Sequence, residues 1–154
     1  MSDDRWLDIE TSVESATEHF SRAGEIYRRG GLHDTTLDGY VMRMAFMHAM
    51  QSGHTSLETV LIRILEFQGE DAPTGHQWHA DLIARASRAT TDRPAILPPD
   101  LVKAADRTRR FRHITTHAYD RFDPDDADPA MRAAAILAEH LAPAIARFRA
   151  AIDP

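Results

Sequence analysis

The chain reads as an all-α protein, an up-and-down bundle of four to five helices with residues 1–154 forming a single domain. Three observations predict this. Apolar residues recur at alternating three- and four-residue spacings along several long stretches, the period of one helix face. No segment alternates with period two, as a half-buried strand would. Glycines and prolines fall between the periodic stretches, where they break helices. A length of 154 residues suits one domain around one core.

The first helix carries Trp6, Ile9, Val13, Ala16, Phe20, Ala23 and Tyr27 in one seam. Ser2 before Asp3 and Asp4 reads as its cap, with carboxylates at the favourable positive end of the helix dipole. Gly30-Gly31 ends it. Asp34 reads as the cap of a second helix holding Leu37, Tyr40, Val41, Met44, Met47, His54, Leu57, Leu61 and Ile64. Gly53 lies midway, and Thr55 with Glu58 resembles a fresh capping box. One continuous helix to about Phe67 is favoured, since a single glycine costs only ~1 kcal/mol. The methionines Met42, Met44, Met47 and Met50 read as adaptable filler of that seam.

Thr74 reads as the cap of a third helix, reciprocated by Gln77, with Trp78, Leu82 and Ala86 facing inward. His76 and His79 at its start are assigned to capping and packing. The segment TTDRPAILPPD then excludes helix through its prolines. Pro98-Pro99 launches a fourth helix that runs to about Phe122. Asp128-Pro129, a capping residue before a proline, starts the last one. Its buried stripe is Ala134, Leu137, Leu141, Ile145, Phe148 and Ile152, and Pro143 should bend it. The aspartates Asp123, Asp125, Asp126 and Asp128 lack the glycine and terminal glutamate of a calcium loop and read as a solvated turn.

Composition excludes several function classes. Without cysteine there is no disulfide, thiolate nucleophile or thiolate-bound metal. No apolar run approaches the length of a membrane span, so no membrane partner is expected. The acidic, amphipathic start MSDDRWLDIE lacks the basic-then-apolar layout of a secretion signal, and a cytoplasmic location is expected. The formal net charge is −6. Between Leu101 and Arg121, however, six cations face only Asp106 and Asp120, a local +4 that leaves −10 for the remainder. A basic strip on an acidic body can still meet a polyanion locally and in a salt-sensitive way.

That strip contains RFRHITTHAYDRF, residues 110–122. On a helix of about 100° per residue, with Arg112 as origin, Thr116 falls near 40° and Tyr119 near −20°, one shared face. Phe111, Ile114 and Ala118 fall at roughly 200–260°, the expected core side, and His113 and His117 at about 100° and 140°. Arg112 and His117 therefore diverge on a straight helix within one chain. They converge if the helix loosens near His117 or if a two-fold axis joins two copies.

Three chemistries fit these residues. In RNA cleavage, a histidine titrating near neutrality moves the protons and an arginine fork neutralises the charged phosphate, with no metal needed. In metal binding, His113 and His117 at i and i+4 chelate one ion, completed by His48, His54, His76 or His79. In a structural role, the rings line a helix boundary half-buried. Arg107, Arg109 and Arg110 either guide an RNA backbone or solvate the helix.

The run Arg112-His113-Ile114-Thr115-Thr116-His117-Ala118-Tyr119 reads R-x4-H-x-Y. It resembles the signature of the HepT-like toxins, members of the HEPN group of helical ribonucleases. The stretches LETVLIRILEF, PTGHQWHADLI, RPAIL and FRHITTHAY extend the resemblance from about Leu37 through Phe122. Many relatives carry an apolar residue just before the histidine, where Thr115-Thr116 stand here.

The resemblance implies a metal-independent endoribonuclease toxin with no cofactor, acting as a homodimer whose two motifs face one another and leaving a 2′,3′-cyclic phosphate. Arg112 would stabilise the phosphate and His117 would be the general acid/base. His113 and Thr116 would support them. Tyr119 would be the site at which a nucleotidyltransferase antitoxin attaches AMP. Two rivals remain: a metal-binding helical bundle resembling the DinB-like group, and a non-catalytic HEPN module that docks a nucleotidyltransferase.

Overall fold

A computed structural model describes residues 3–117 and 122–153. It is all-helical, with five α-helices and no strand among the described residues. They are α1 (Asp4–Arg29), α2 (Leu37–Phe67), α3 (Trp78–Ala86), α4 (Pro99–His117) and α5 (Ala127–Ile152), with a 3-10 turn at Pro124–Asp126. No helix among the described residues is long and apolar enough to cross a membrane.

Helix α1 is the axis of the bundle, packed between α2 and α5. All seven residues of its predicted seam face inward, and six of them are buried from solvent. Contacts at both ends fix its partners as antiparallel. Trp6 meets Phe67 and Tyr27 meets Phe46 across the α1–α2 pair. Arg149 reaches Glu10, and the Tyr27 hydroxyl donates to Asp128, across the α1–α5 pair. Burying large side chains such as Trp6, Phe20 and Phe46 contributes roughly 1.5–3 kcal/mol each.

Helix α2 is continuous through Gly53, as expected. The glycine serves close packing: a Cβ there would lie 2.7 Å from the Phe20 ring. Any larger residue would push α1 and α2 apart.

The helix starts differ from the sequence reading. Asp3, not Ser2, caps α1 by accepting from the Arg5 N–H; Ser2 lies outside the described residues. Asp34 bonds the Thr36 N–H in a local turn, and α2 begins only at Leu37. Gln77, not Thr74, takes the N-cap position of α3 and makes no side-chain capping bond; the helix starts at Trp78 after Gly75 takes a positive φ of 101°. Helix α5 starts at Ala127, ahead of the expected Asp128-Pro129 cap, because the 3-10 turn leads directly into it. Asp128 is thereby released to accept from Tyr27. Pro143 lies inside α5 without ending it.

One ion pair fixes the proline-rich connection. Arg93 is buried and grips both carboxylate oxygens of Glu70, at 2.5 and 3.1 Å. It also donates to the carbonyls of Arg85, Arg88 and Pro94. The N–H groups of Ile96 and Leu97 meet the Ala86 carbonyl. These bonds tie the connection to the end of α3, which buries Leu82, Ile83 and Ala86 and packs against α4.

Candidate functional site

Two strips of α4 behave differently. Its inner strip, Leu101, Ala104, Ala105, Thr108, Phe111 and Thr115, is buried. Ile114 was expected on this side but is 46% exposed. The core arc is set by that run of residues, and Thr115, not Ile114, continues it.

The two threonines meet polar partners on α2. Gln51 Nε2 donates to Thr115 Oγ1 at 3.1 Å, and the Thr115 hydroxyl donates to the Arg112 carbonyl. Thr108 Oγ1 lies 2.8 Å from His54 Nδ1. His54, part of the predicted inward seam of the second helix, has this hydroxyl and a carboxylate as its polar neighbours. His54 Nε2 makes no well-aligned hydrogen bond, yet sits 3.5 Å from Glu58 Oε2.

Glu58 joins this polar strip to the surface. Its side chain is only 5% exposed. One oxygen, Oε2, accepts from Nδ1 of His79 in a short hydrogen bond. The other, Oε1, accepts from Arg112 Nη1 at 3.3 Å. One buried carboxylate thus holds an imidazole of α3 and a guanidinium of α4.

Protonation follows from the surroundings. Burial holds the His54 imidazole below its ordinary 6.5, against the pull of Glu58, so this ring is neutral at pH 7. Burial would raise the Glu58 carboxyl, but the His54 and His79 rings beside it outweigh that and hold the group below 4.5, ionised. The Thr108 hydroxyl donates its one proton to the Ala105 carbonyl at 3.0 Å, which leaves its oxygen to accept from His54 Nδ1.

The other strip of α4 lines a cavity of about 640 Å³, within the size range of small-ligand sites. Residues 75–80 form the opposite wall. On the α4 side stand Arg109, Arg112, His113, Thr116 and His117. Arg112 and His117, expected to diverge within one chain, therefore face one hollow. The arc of about 140° between them is wide, but the segment leading into α3 folds across it and closes the far side. Arg112 and Thr116 also border a second hollow of about 370 Å³ beside His48, Gln51, Ser52 and Thr55.

Within the larger cavity Arg112 is partly exposed, while His113, Thr116 and His117 are exposed. The His113 and His117 rings stand 4.4 Å apart between centroids. Among the described residues, no group of three or more His, Asp or Glu is placed to hold a metal ion, so His48, His54, His76 and His79 do not complete a shell around this pair. Arg109 lines the cavity while bonded to Asp106 at 2.8 Å. Arg110 shares the same carboxylate at 2.9 Å, and Arg107 is exposed. Tyr119 lies outside the described residues.

The sequence reading gives no sign of Gln51 or Thr108, presents Glu58 only as a capping partner of Thr55, and presents His79 as a capping and packing residue or a member of a metal shell. A signal was present for Glu58. It shares a stripe with His54, Leu61 and Leu65 at i−4, i+3 and i+7, so a carboxylate stands where the helix period demands an apolar residue.

No curated protein and no solved structure matches the chain. The family model described as HepT-like protein matches residues 45–152, which include α3, α4, α5 and most of α2. That family is of the HEPN type, generally ribonuclease-related and typically part of toxin–antitoxin systems. With a match over most of its length, this chain belongs to the HepT-like family of the HEPN superfamily.

Proposed function

We propose that the protein is the toxin of a HEPN–nucleotidyltransferase pair, an endoribonuclease that cleaves RNA without a metal ion. The observation that carries this reading is the shared cavity. A guanidinium with uncommitted donors and an exposed imidazole border one hollow large enough for a nucleotide linkage.

The chemistry follows from those groups. A ribose 2′-hydroxyl attacks the adjacent phosphorus, the bond to the 5′-oxygen breaks, and a 2′,3′-cyclic phosphate remains. Arg112 neutralises the non-bridging oxygens as negative charge grows on them. His117 transfers a proton to or from the reacting oxygens. His113 and Thr116 border the same wall and orient the pair. Arg107, Arg109 and Arg110 supply positive charge along the approach, through contacts that salt should weaken.

The protein acts in the cytoplasm as a homodimer, which would set two such cavities beside one another. Leu37, Tyr40 and Val41, exposed on the first turns of α2, are candidates for the apolar surface that a second copy covers. Tyr119, two residues beyond His117 in the chain, is the acceptor to which the antitoxin attaches AMP, adding bulk and negative charge that oppose RNA binding.

Growth inhibition on expression in a bacterial host tests this reading. Arg112→Ala and His117→Ala should each relieve it while circular dichroism and oligomeric state stay as in wild type. Equal toxicity of both folded variants would end the proposal.

A further inference from the structure

A buried carboxylate requires an explanation, and Glu58 has two exposed-side partners that provide one. Arg112 belongs to the proposed nuclease site already. His79 does not, although it lines the same cavity and accounts for the shortest hydrogen bond made by the carboxylate. Its ring is stacked on Trp78 at 3.6 Å between centroids, so both its position and its tilt are fixed. Its side chain is 33% exposed. With Nδ1–H donated to Glu58, the nitrogen left for a ligand is Nε2, carrying a lone pair.

We infer that His79, oriented by Glu58, is the second proton-transfer group of this cavity, the base that takes the 2′-hydroxyl proton while His117 serves as the acid. The inference rests on the nuclease reading and completes it. Cleavage by internal transfer needs one proton removed from the 2′-oxygen and one delivered to the departing 5′-oxygen. A single imidazole can do both only in sequence; two can do so in one step. His79 Nε2 takes the first proton, the 2′-oxygen forms its bond to phosphorus, the bond to the 5′-oxygen breaks, and protonated His117 supplies the second proton. Exchange with water then restores both rings.

The Glu58 carboxylate favours the base role for His79. A negative charge bonded to Nδ1–H stabilises the imidazolium formed when Nε2 accepts a proton. Among the described residues no carboxylate is bonded to His117, whose ring meets His113. The charged and titratable groups around His79 are Glu58 and, behind it, His54 from α2; Arg109, Arg112, His113 and His117 from α4; and His76 from its own segment. Glu58 is a positioning residue, since it reaches the substrate only through His79 and Arg112.

The test uses the full-length protein and an oligoribonucleotide with one cleavable linkage. It is made once with the natural 5′-oxygen and once with a bridging 5′-sulfur, which leaves without a proton. His79→Asn, which can still bond Glu58, should lower cleavage of the natural linkage about 10²–10⁴-fold. The sulfur linkage should restore activity to His117→Ala but not to His79→Asn. Glu58→Gln, which keeps the shape of the side chain but not its charge, should lower cleavage of both linkages, and the 5′-sulfur should not restore it. Wild-type rates in folded His79→Asn, or its rescue by sulfur, would overturn the assignment while leaving the nuclease reading intact. Failure of wild type to cut either linkage would overturn both.

Discussion

Two arginine–glutamate pairs, Arg93–Glu70 and Arg112–Glu58, differ in which partner is buried. Arg93 is buried, and each of its five N–H donors has an acceptor: both oxygens of Glu70 and the carbonyls of Arg85, Arg88 and Pro94. At Arg112 the carboxylate is the buried member, and the guanidinium is 29% exposed with Nη1 alone engaged on Glu58. The first pair has no donor left for anything else. The second has donors in reserve beside a cavity, held at a fixed angle. A saturated arginine is part of the scaffold; an unsaturated one, positioned from behind, is equipped to bind an anion.

The largest expected effect separates the two by stability. Arg93→Ala should cost about 3–5 kcal/mol, as expected when one member of a buried pair is removed, and urea unfolding should show a much lower midpoint. A loss below about 1 kcal/mol would break the comparison, because Arg93 would then behave as a surface residue.

Arg112→Ala should show the reverse pattern. Its single bond to Glu58 predicts a stability loss of about 1 kcal/mol, whereas RNA cleavage should fall by about 10²–10³-fold. An unfolded variant, or one that cleaves normally, would place Arg112 with Arg93 in the scaffold.

Thr108→Val sharpens the contrast from behind. The substitution leaves His54 Nδ1 buried without its hydroxyl partner and should cost about 1–3 kcal/mol. Unchanged thermal stability would show that the polar strip beneath Glu58 contributes nothing to holding it.

The smallest effect is in pH. The folded pKa of His54 lies below 6.5, so the unfolded chain binds its proton first, and this contribution to stability is present above 6.5 and lost as pH falls. Glu58 and Glu70 are likewise depressed, and their contributions fade only as pH drops below 4.5. Between 6.5 and 4.5 the His54 contribution should fall by at most about 1.4 kcal/mol per pH unit. His54→Asn should flatten that part of a stability–pH curve, and an identical slope would contradict the buried neutral assignment.

The frame of the fold was legible because helix periodicity is a property of the chain itself. The seam of α1, the unbroken α2 and the proline launch of α4 all follow from local spacing. Helix starts were less legible, since Asp34, Thr74 and Asp128 all have capping chemistry yet bond elsewhere or nowhere at those ends. At the site, the motif identified Arg112 and His117, but a straight helical wheel separated them. Only the crossing of residues 75–80 over α4 closes the hollow between them, and that is a tertiary event. Glu58 needed the same information: its partners lie 21 and 54 positions away in the chain.

Incubating the purified protein with total RNA in excess chelator, beside Arg112→Ala and His117→Ala, and reading fragment ends by mass spectrometry addresses the cavity most directly. Wild type should yield fragments ending in 2′,3′-cyclic phosphate, and both variants should leave the RNA intact. Intact RNA with wild type, or the same fragments from all three proteins, would contradict a nuclease built on Arg112 and His117.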